Sequence, residues 1–268
     1  MIALIIGCGT IGTVIARAAD RMPEVEGILL FDSDSTRAEA LTSSLKKTER
    51  LDDLNMKTVD ADLVIEAASQ NAAKEFVPAA LENSIDSLVM SVGAFVDRGF
   101  QSRCYSAVSS FDSLIIIPSG AVAGVDALKG AAKGDIEVVR LTSTKPPKGF
   151  TGVKYLEDKG IDIGKIVERT VLYSGPASQA VQHFPANVNV AATVSLAGVG
   201  FDRTQVEVVC DPSAIVNSHH LYAKGGFGEL DATTRNLPSP DNPRTSYLAA
   251  LSAVSSLSEY IKRIWIGV

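Results

Sequence analysis

The pattern of apolar and polar positions changes character once along this chain, just after Pro118. Ahead of that point, short unbroken apolar runs recur: MIALII at the start, then EGILLFDSD, ADLVIEAAS, SLVMSVGAF and DSLIIIPSGA. Such runs read as strands buried on both faces, as in a parallel sheet. Segments with helical spacing lie between them, TIGTVIARAADRM after the first run and Asn71 to Leu81 after the third. Strands alternating with helices predict an α/β architecture, a Rossmann-type doubly wound parallel sheet.

Beyond Pro118 the strands are longer and half polar. GDIEVVRLTSTKPP, RTVLYSGPA and DRTQVEVVCDP alternate apolar with polar residues. That pattern predicts an open mixed sheet with one wet face, in a second α+β domain. GPASQAVQHFPANVNVAATVSLAGVG is expected to hold one or two helices. The stretch from Gly225 to Arg244 is rich in Gly, Pro and Asn and reads as a loop. TSYLAALSAVSSLSEYIKRIW then reads as a long closing helix with Lys262 and Arg263 near its end, where the dipole favours cations. DNPRTS resembles its start, with Asn242 ahead of Pro243 at the first helical position. The expected division is 1–119 with 241–268 for the nucleotide-binding domain, on which the closing helix packs back, and 120–240 for a catalytic and dimerisation domain.

Composition narrows the function classes. The chain has 268 residues, 46% hydrophobic and 21% charged, the balance of a globular protein with a sizeable core. Its formal net charge of −6 gives no global basic field for nucleic acid. Cys8, Cys104 and Cys210 are far apart with no CxxC spacing, so neither a disulfide framework nor a metal site is expected, and a reducing cytoplasm fits. The apolar run ahead of the first glycines is too short for a signal peptide, and no segment approaches the roughly 18 apolar residues of a membrane span.

The most informative local motif is Gly7-x-Gly9-x-x-Gly12, between the first predicted strand and the first predicted helix. This is the spacing of the dinucleotide fingerprint. The first glycine makes the tight turn, the second lets a pyrophosphate approach the backbone, and the third lets the helix lie close to the strand. The helix N-terminus, at Thr10 and Ile11, points free N–H groups at the phosphates. Asp32, 20 residues beyond Gly12 and at the tip of the second strand, is placed to accept from both ribose hydroxyls of NAD and to repel the extra phosphate of NADP. Arg37 nearby leaves NADP usage open. Ser69 and Gln70, and then Gly93 and Ala94, end strands on the side where a doubly wound sheet lines its cofactor crevice. Glu66, deeper in its strand, is expected to be structural.

The second half must supply the chemistry. Its histidines, His183, His219 and His220, are each candidates for proton exchange near neutral pH. His183 is flanked by apolar residues and reads as structural. In an extended segment, His219 and His220 point to opposite faces, so only one of them enters a site. Lys145 and Lys148, with Thr142, Ser143 and Thr144, are candidate partners for an anionic substrate. Arg235 and Arg244 are others.

Several longer motifs then become recognisable. GCGTIG, PSGAVAGVDAL, FPANVNVAATVSLAGVGFDRTQVEVVCDP, NSHH and NLPSPDNPRTSYLAALS together resemble the L-aspartate dehydrogenase family over nearly the whole chain. The resemblance implies NAD- or NADP-dependent oxidation of L-aspartate to iminoaspartate, which hydrolyses to oxaloacetate and ammonia or feeds quinolinate synthesis. It assigns the catalytic histidine to His219, in Asn217-Ser218-His219, with His220 as the local ambiguity. It places cofactor contacts at Ala121, less surely Ala123, and at Asn189, with Asn187 as an alternative partner. It implies a homodimer, for which the open face of the second sheet is a candidate contact. Two rival readings are a related two-domain dehydrogenase acting on homoserine or dihydrodipicolinate, and a cofactor-binding sensor without chemistry.

Overall fold

The computed structural model describes residues 1–184, 188–240 and 242–267, apart from the side chains at 188, 243 and 244. The described chain divides into two compact units. The first comprises Met1–Pro118 with Ala249–Trp265, and the second Ser119–Leu248 with residues 266–267.

The first unit is built on β1 (Ile2–Ile6), β2 (Gly27–Phe31), β3 (Thr48–Arg50), β4 (Leu63–Glu66), β5 (Asp86–Val89) and β6 (Ile115–Ile116). Between them run the helices α1 (Thr10–Ala19), α2 (Ser35–Thr42), α3 (Gln70–Leu81) and α4 (Arg98–Ser110). The strands pair in the order β3-β2-β1-β4-β5-β6, all parallel. This is a doubly wound sheet whose strand order reverses between β1 and β4, the switch point where such sheets bind ligands. The unbroken apolar run of β1 follows from burial on both sides. Ala3 and Ile5 pack in one cluster with Ile15 and Ala16 of α1, while Leu4 and Ile6 pack in another with Val64 and Ala80.

The second unit holds β7 (Ile136–Lys145), β8 (Thr170–Pro176), β9 (Gln205–Cys210), β10 (Asn217–Gly225) and β11 (Gly228–Asn236), paired in the order β11-β10-β7-β9-β8. Only the β7·β9 pair is parallel among these, so the sheet is mixed. Helices α5 (Val125–Ala131), α6 (Lys154–Asp158), α7 (Ala177–His183) and α8 (Val188–Ala197) belong to the same unit. One sheet face is covered. Val139 and Leu141, Val206 and Val208, Leu221 and Ala223 share a core with residues of α5, α7 and α8. The other face carries Arg140, Thr142, Glu207, His220 and Thr233.

Two expectations require correction. The stretch from Gly225 to Arg244 is not a loop. Nine of its residues form β11, which closes a hairpin with β10 by pairing Gly228 with Gly225. β11 is an edge strand with alternating exposed and half-buried residues, and its polar composition imitates a loop. Nor does the closing helix start at Pro243. Asn242–Ser246 forms β13, paired with β12 (Pro238–Ser239), and α9 begins at Tyr247 and runs to Lys262. Ladder pairing of Pro238 with Ser246 wins over the helix-start pattern there. Ala253 and Leu257 of α9 lie in the first unit's core beside Ile5 and Leu88.

Candidate active site

The glycine loop has the build its spacing requires. Gly7 has a positive φ of 99°, and a Cβ there would meet the backbone of Ala67 and Ala68 at 2.8 Å. A Cβ on Gly12 would overlap the Gly7 carbonyl oxygen, so α1 lies as close to the strand turn as backbone allows. Gly9 is the opposite case, because no atom lies within 4 Å of where its Cβ would stand. That open cradle sits at the N-terminus of α1, where Gly9 offers no side-chain cap and Thr10 and Ile11 form the first turn. An anion fits there, drawn by the dipole and by unsatisfied N–H groups.

Asp32 borders the same loop. Its Oδ2 accepts from the Cys8 N–H at 2.7 Å and its Oδ1 from the Asp34 N–H at 2.8 Å. Each carboxylate oxygen keeps capacity for one more donor. Arg37 is paired with Asp34 at 3.3 Å. The residues present therefore fit a dinucleotide, with the pyrophosphate at the loop and a ribose at Asp32. Glu66 is fully buried and accepts from Ser91 N–H and Oγ–H at 2.9 and 2.8 Å, and from the N–H groups of Ala68 and Ser69 at 2.9 and 3.0 Å. Burial pushes its carboxyl up and the four donors oppose this. Its task is to tie the ends of β4 and β5 together. Ser69 is exposed and caps α3 by accepting from the Ala72 N–H. Gly93 and Ala94 lie in a short 3₁₀ turn, Val92–Val96.

In the second unit the covered sheet face turns polar at one end. Along paired β7 and β10, Val139 faces Ala223, Leu141 faces Leu221, and then Ser143 faces His219. His219 is 5% exposed, and its Nδ1 lies 2.9 Å from Ser143 Oγ. Burial, and next the charge of Lys145, push its imidazolium down to about 3, so the ring is neutral at physiological pH. Lys145, two residues beyond Ser143, is 8% exposed, and burial pushes its ammonium down to about 8. His220 points to the other face, where its Nε2 pairs with Asp231 at 3.0 Å. Ser143, one of the hydroxyls expected to meet an anionic substrate, is thus engaged by the histidine.

Ala121 is held at this polar end from across the chain. Its carbonyl oxygen accepts from Thr234 Oγ1 at 2.8 Å and from Asn236 Nδ2 at 2.9 Å. Thr234 is the residue of β11 that pairs with His219, so the Ala121 turn and the imidazole are anchored at one register position. Thr234 and Asn236 carry no local motif that would have singled them out. Ala123 is exposed, and Asn189 is exposed in the first turn of α8. Asn187 lies outside the described residues, as does the side chain of Arg244. Lys148 and Arg235 are exposed. His183 stacks on Tyr155 with ring centroids 4.2 Å apart, a packing role.

A glycine-loop nucleotide sheet followed by a mixed sheet with a buried neutral histidine is the build of a two-unit pyridine-nucleotide dehydrogenase. Comparison with known proteins agrees. The family model for aspartate dehydrogenase, C-terminal, matches residues 126–260, and that for homoserine dehydrogenase, NAD binding domain, matches residues 7–118. An L-aspartate dehydrogenase of Methanosarcina acetivorans is 45% identical, covering 98% of each chain. One of Nitrosopumilus maritimus is 39% identical, covering 96% of this chain and 95% of its own. Among solved structures, the aspartate dehydrogenase of Thermotoga maritima matches with a TM-score of 0.76 at 27% identity, covering 100% of this chain and 98% of that one. A myo-inositol dehydrogenase of Corynebacterium glutamicum, 14% identical with a TM-score of 0.56, covers 98% of this chain and 87% of its own and shares the fold alone. This chain belongs to the aspartate dehydrogenase family.

Proposed function

We propose that the chain is an L-aspartate dehydrogenase that oxidises L-aspartate to iminoaspartate, with NAD as the preferred cofactor and His219 as the base. The observation that carries the role of His219 is the neutral imidazole held by Ser143 where the covered sheet face turns polar. When bound, the nicotinamide accepts the hydride that leaves the substrate Cα. The substrate amine must be neutral for this, so its ammonium proton passes first to the protein. His219 takes that proton at Nε2. A ring with a free Nε2 lone pair carries its own proton on Nδ1, and Ser143 Oγ then accepts from Nδ1–H. Such a base contributes on the order of 10²- to 10⁴-fold. The remaining acceleration comes from holding the reacting atoms together.

The cofactor would be held by Gly7, Gly9, Thr10, Ile11 and Gly12 at its pyrophosphate and by Asp32 at a ribose. Ala121, Asn189 and, less directly, Ala123 and Ser69 complete that set. The carboxylate of Asp32 disfavours a ribose phosphate, and the Arg37 guanidinium is already paired with Asp34, which together support NAD over NADP. A homodimer through the open face of the five-stranded sheet, and a cytoplasmic location, belong to the same reading. No described helix is long and apolar enough to cross a membrane.

The direct test is NADH fluorescence with oxaloacetate and ammonia added to the full chain. Substrate-dependent loss of NADH is expected. Binding of NADH without turnover would instead identify a nucleotide sensor.

A further inference from the structure

The unexplained group in the second unit is Lys145. It ends β7 on the covered face, two residues past Ser143, and is 8% exposed. Among the described residues, no carboxylate or other acceptor is bonded to its Nζ. Lysines are almost never buried this deeply without a partner. The position is not accidental, because the stem is fitted. A Cβ on Gly149, in the turn Pro147–Phe150, would stand 3.2 Å from both Cβ and Cδ of Lys145. The turn therefore packs against the methylene stem. The fold maintains a solitary cation beside a neutral imidazole.

We propose that Lys145 is the carboxylate receptor of the substrate site, so that a dicarboxylate amino acid anchors there and by doing so switches on the His219 base. This deepens the dehydrogenase reading and rests on it for the role of His219. The physical argument is electrostatic. With Lys145 unpaired, its positive charge opposes a second positive charge on the ring. A substrate carboxylate bound to Lys145 cancels that opposition, and its partner charge favours the imidazolium that forms when the amine gives up its proton. The base is thus poor before an anionic substrate arrives and competent afterwards.

Other charged groups near this register do not do the same work. Thr234, opposite His219 on β11, is uncharged. Glu207, bonded to Thr142, and His220 and Asp231, bonded to each other, stand on the opposite face, as does Arg235. The helices α5, α7 and α8 give this face Leu128, Ala177, Ala180, Ala191 and Val194.

The test is a pH titration of ring-labelled histidines in the full chain by NMR, with succinate as the probe. The chain has three histidines, so the His219 signal is identified by its loss in His219→Asn. In the unmodified chain the ring is expected to stay neutral down to about pH 5, and succinate to move its midpoint upward by about one pH unit or more. In Lys145→Met the midpoint should rise without succinate, succinate should move it no further, and succinate affinity should fall about tenfold or more. Lys145→Arg should keep part of the binding, and NADH affinity reports folding in each variant. Unchanged succinate affinity and an unchanged ring response in Lys145→Met would overturn the proposal. The two readings fail separately. Normal aspartate turnover in Lys145→Met sinks this proposal and leaves the dehydrogenase reading standing. Lys145-dependent succinate binding without any turnover of oxaloacetate and ammonia supports the receptor and sinks the dehydrogenase reading.

Discussion

Ser143 and His219 meet side chain to side chain across the β7·β10 ladder, 2.9 Å apart, although 76 residues separate them in the chain. Both are buried, so the pair shields Nδ1 from water and holds the ring's angle. A role as base requires that Nε2 be the free nitrogen, and in that tautomer Ser143 Oγ accepts from Nδ1–H. Ser143→Ala should therefore lower kcat about tenfold with little change in the KM for aspartate or in NADH affinity. Ser143→Thr keeps the hydroxyl and should restore most of kcat. An equal loss in both variants would point to a packing role instead.

The adjacent histidines should behave oppositely. His219→Ala should reduce turnover about a hundredfold or more while NADH binding stays nearly unchanged. His220 is half-exposed and its Asp231 partner more so, 41% and 67% for the side chains. Exposed pairs of this kind contribute about 0–1 kcal/mol, so His220→Ala should leave turnover within about twofold. Steady-state kinetics and NADH titration of both variants check this, and a loss confined to His220→Ala would move the base one residue along.

How much of this arrangement is legible in the sequence depends on the range of the interaction. The strands of the first unit are legible because both faces are buried, which leaves an unbroken apolar run such as Ile2–Ile6. The glycine spacing is legible because each glycine answers a constraint within a few residues. Alternation alone dictates that His219 and His220 face opposite ways. It does not dictate which of them is inside, since that is set by the register of β10 on β7. β11 is misread because an edge strand that must stay wet has the composition of a loop. Thr234 and Asn236 reach Ala121 across 113 and 115 residues. Nothing local marks them, because a hydroxyl and an amide in a polar strand are ordinary until the fold brings a carbonyl to them.

Asp32 has two tasks, and its variants should separate them. As a ribose acceptor it sets cofactor choice, and as the acceptor for the Cys8 N–H it steadies the glycine loop. Asp32→Ala should weaken NADH binding more than NADPH binding, narrowing the ratio of the two about tenfold. It should also weaken both in absolute terms, because the loop loses a 2.7 Å tie. Titration of each cofactor into the variant measures both effects. A ratio that does not move would remove Asp32 from cofactor selection.

The buried ammonium of Lys145 should be visible in the stability of the protein as well as in its kinetics. An unfolded lysine titrates near 10.4, whereas burial brings Lys145 down to about 8. Between those values the unfolded chain holds more protons than the folded one, so this group makes stability rise as pH rises through the window. Below about pH 8 the penalty is fully present, and the shift corresponds to about 3 kcal/mol. Lys145→Met removes the charge and keeps an unbranched stem of similar reach against Gly149. The variant should therefore be more stable than the natural chain at pH 7, and the gap should shrink as pH approaches 10. Urea unfolding at the two pH values measures this. Succinate should narrow the gap from the other side, because it stabilises only the chain that retains the ammonium, in proportion to its occupancy. A Lys145→Met chain that is less stable at pH 7 would mean that the ammonium has a partner within the fold, and that its burial costs the protein nothing.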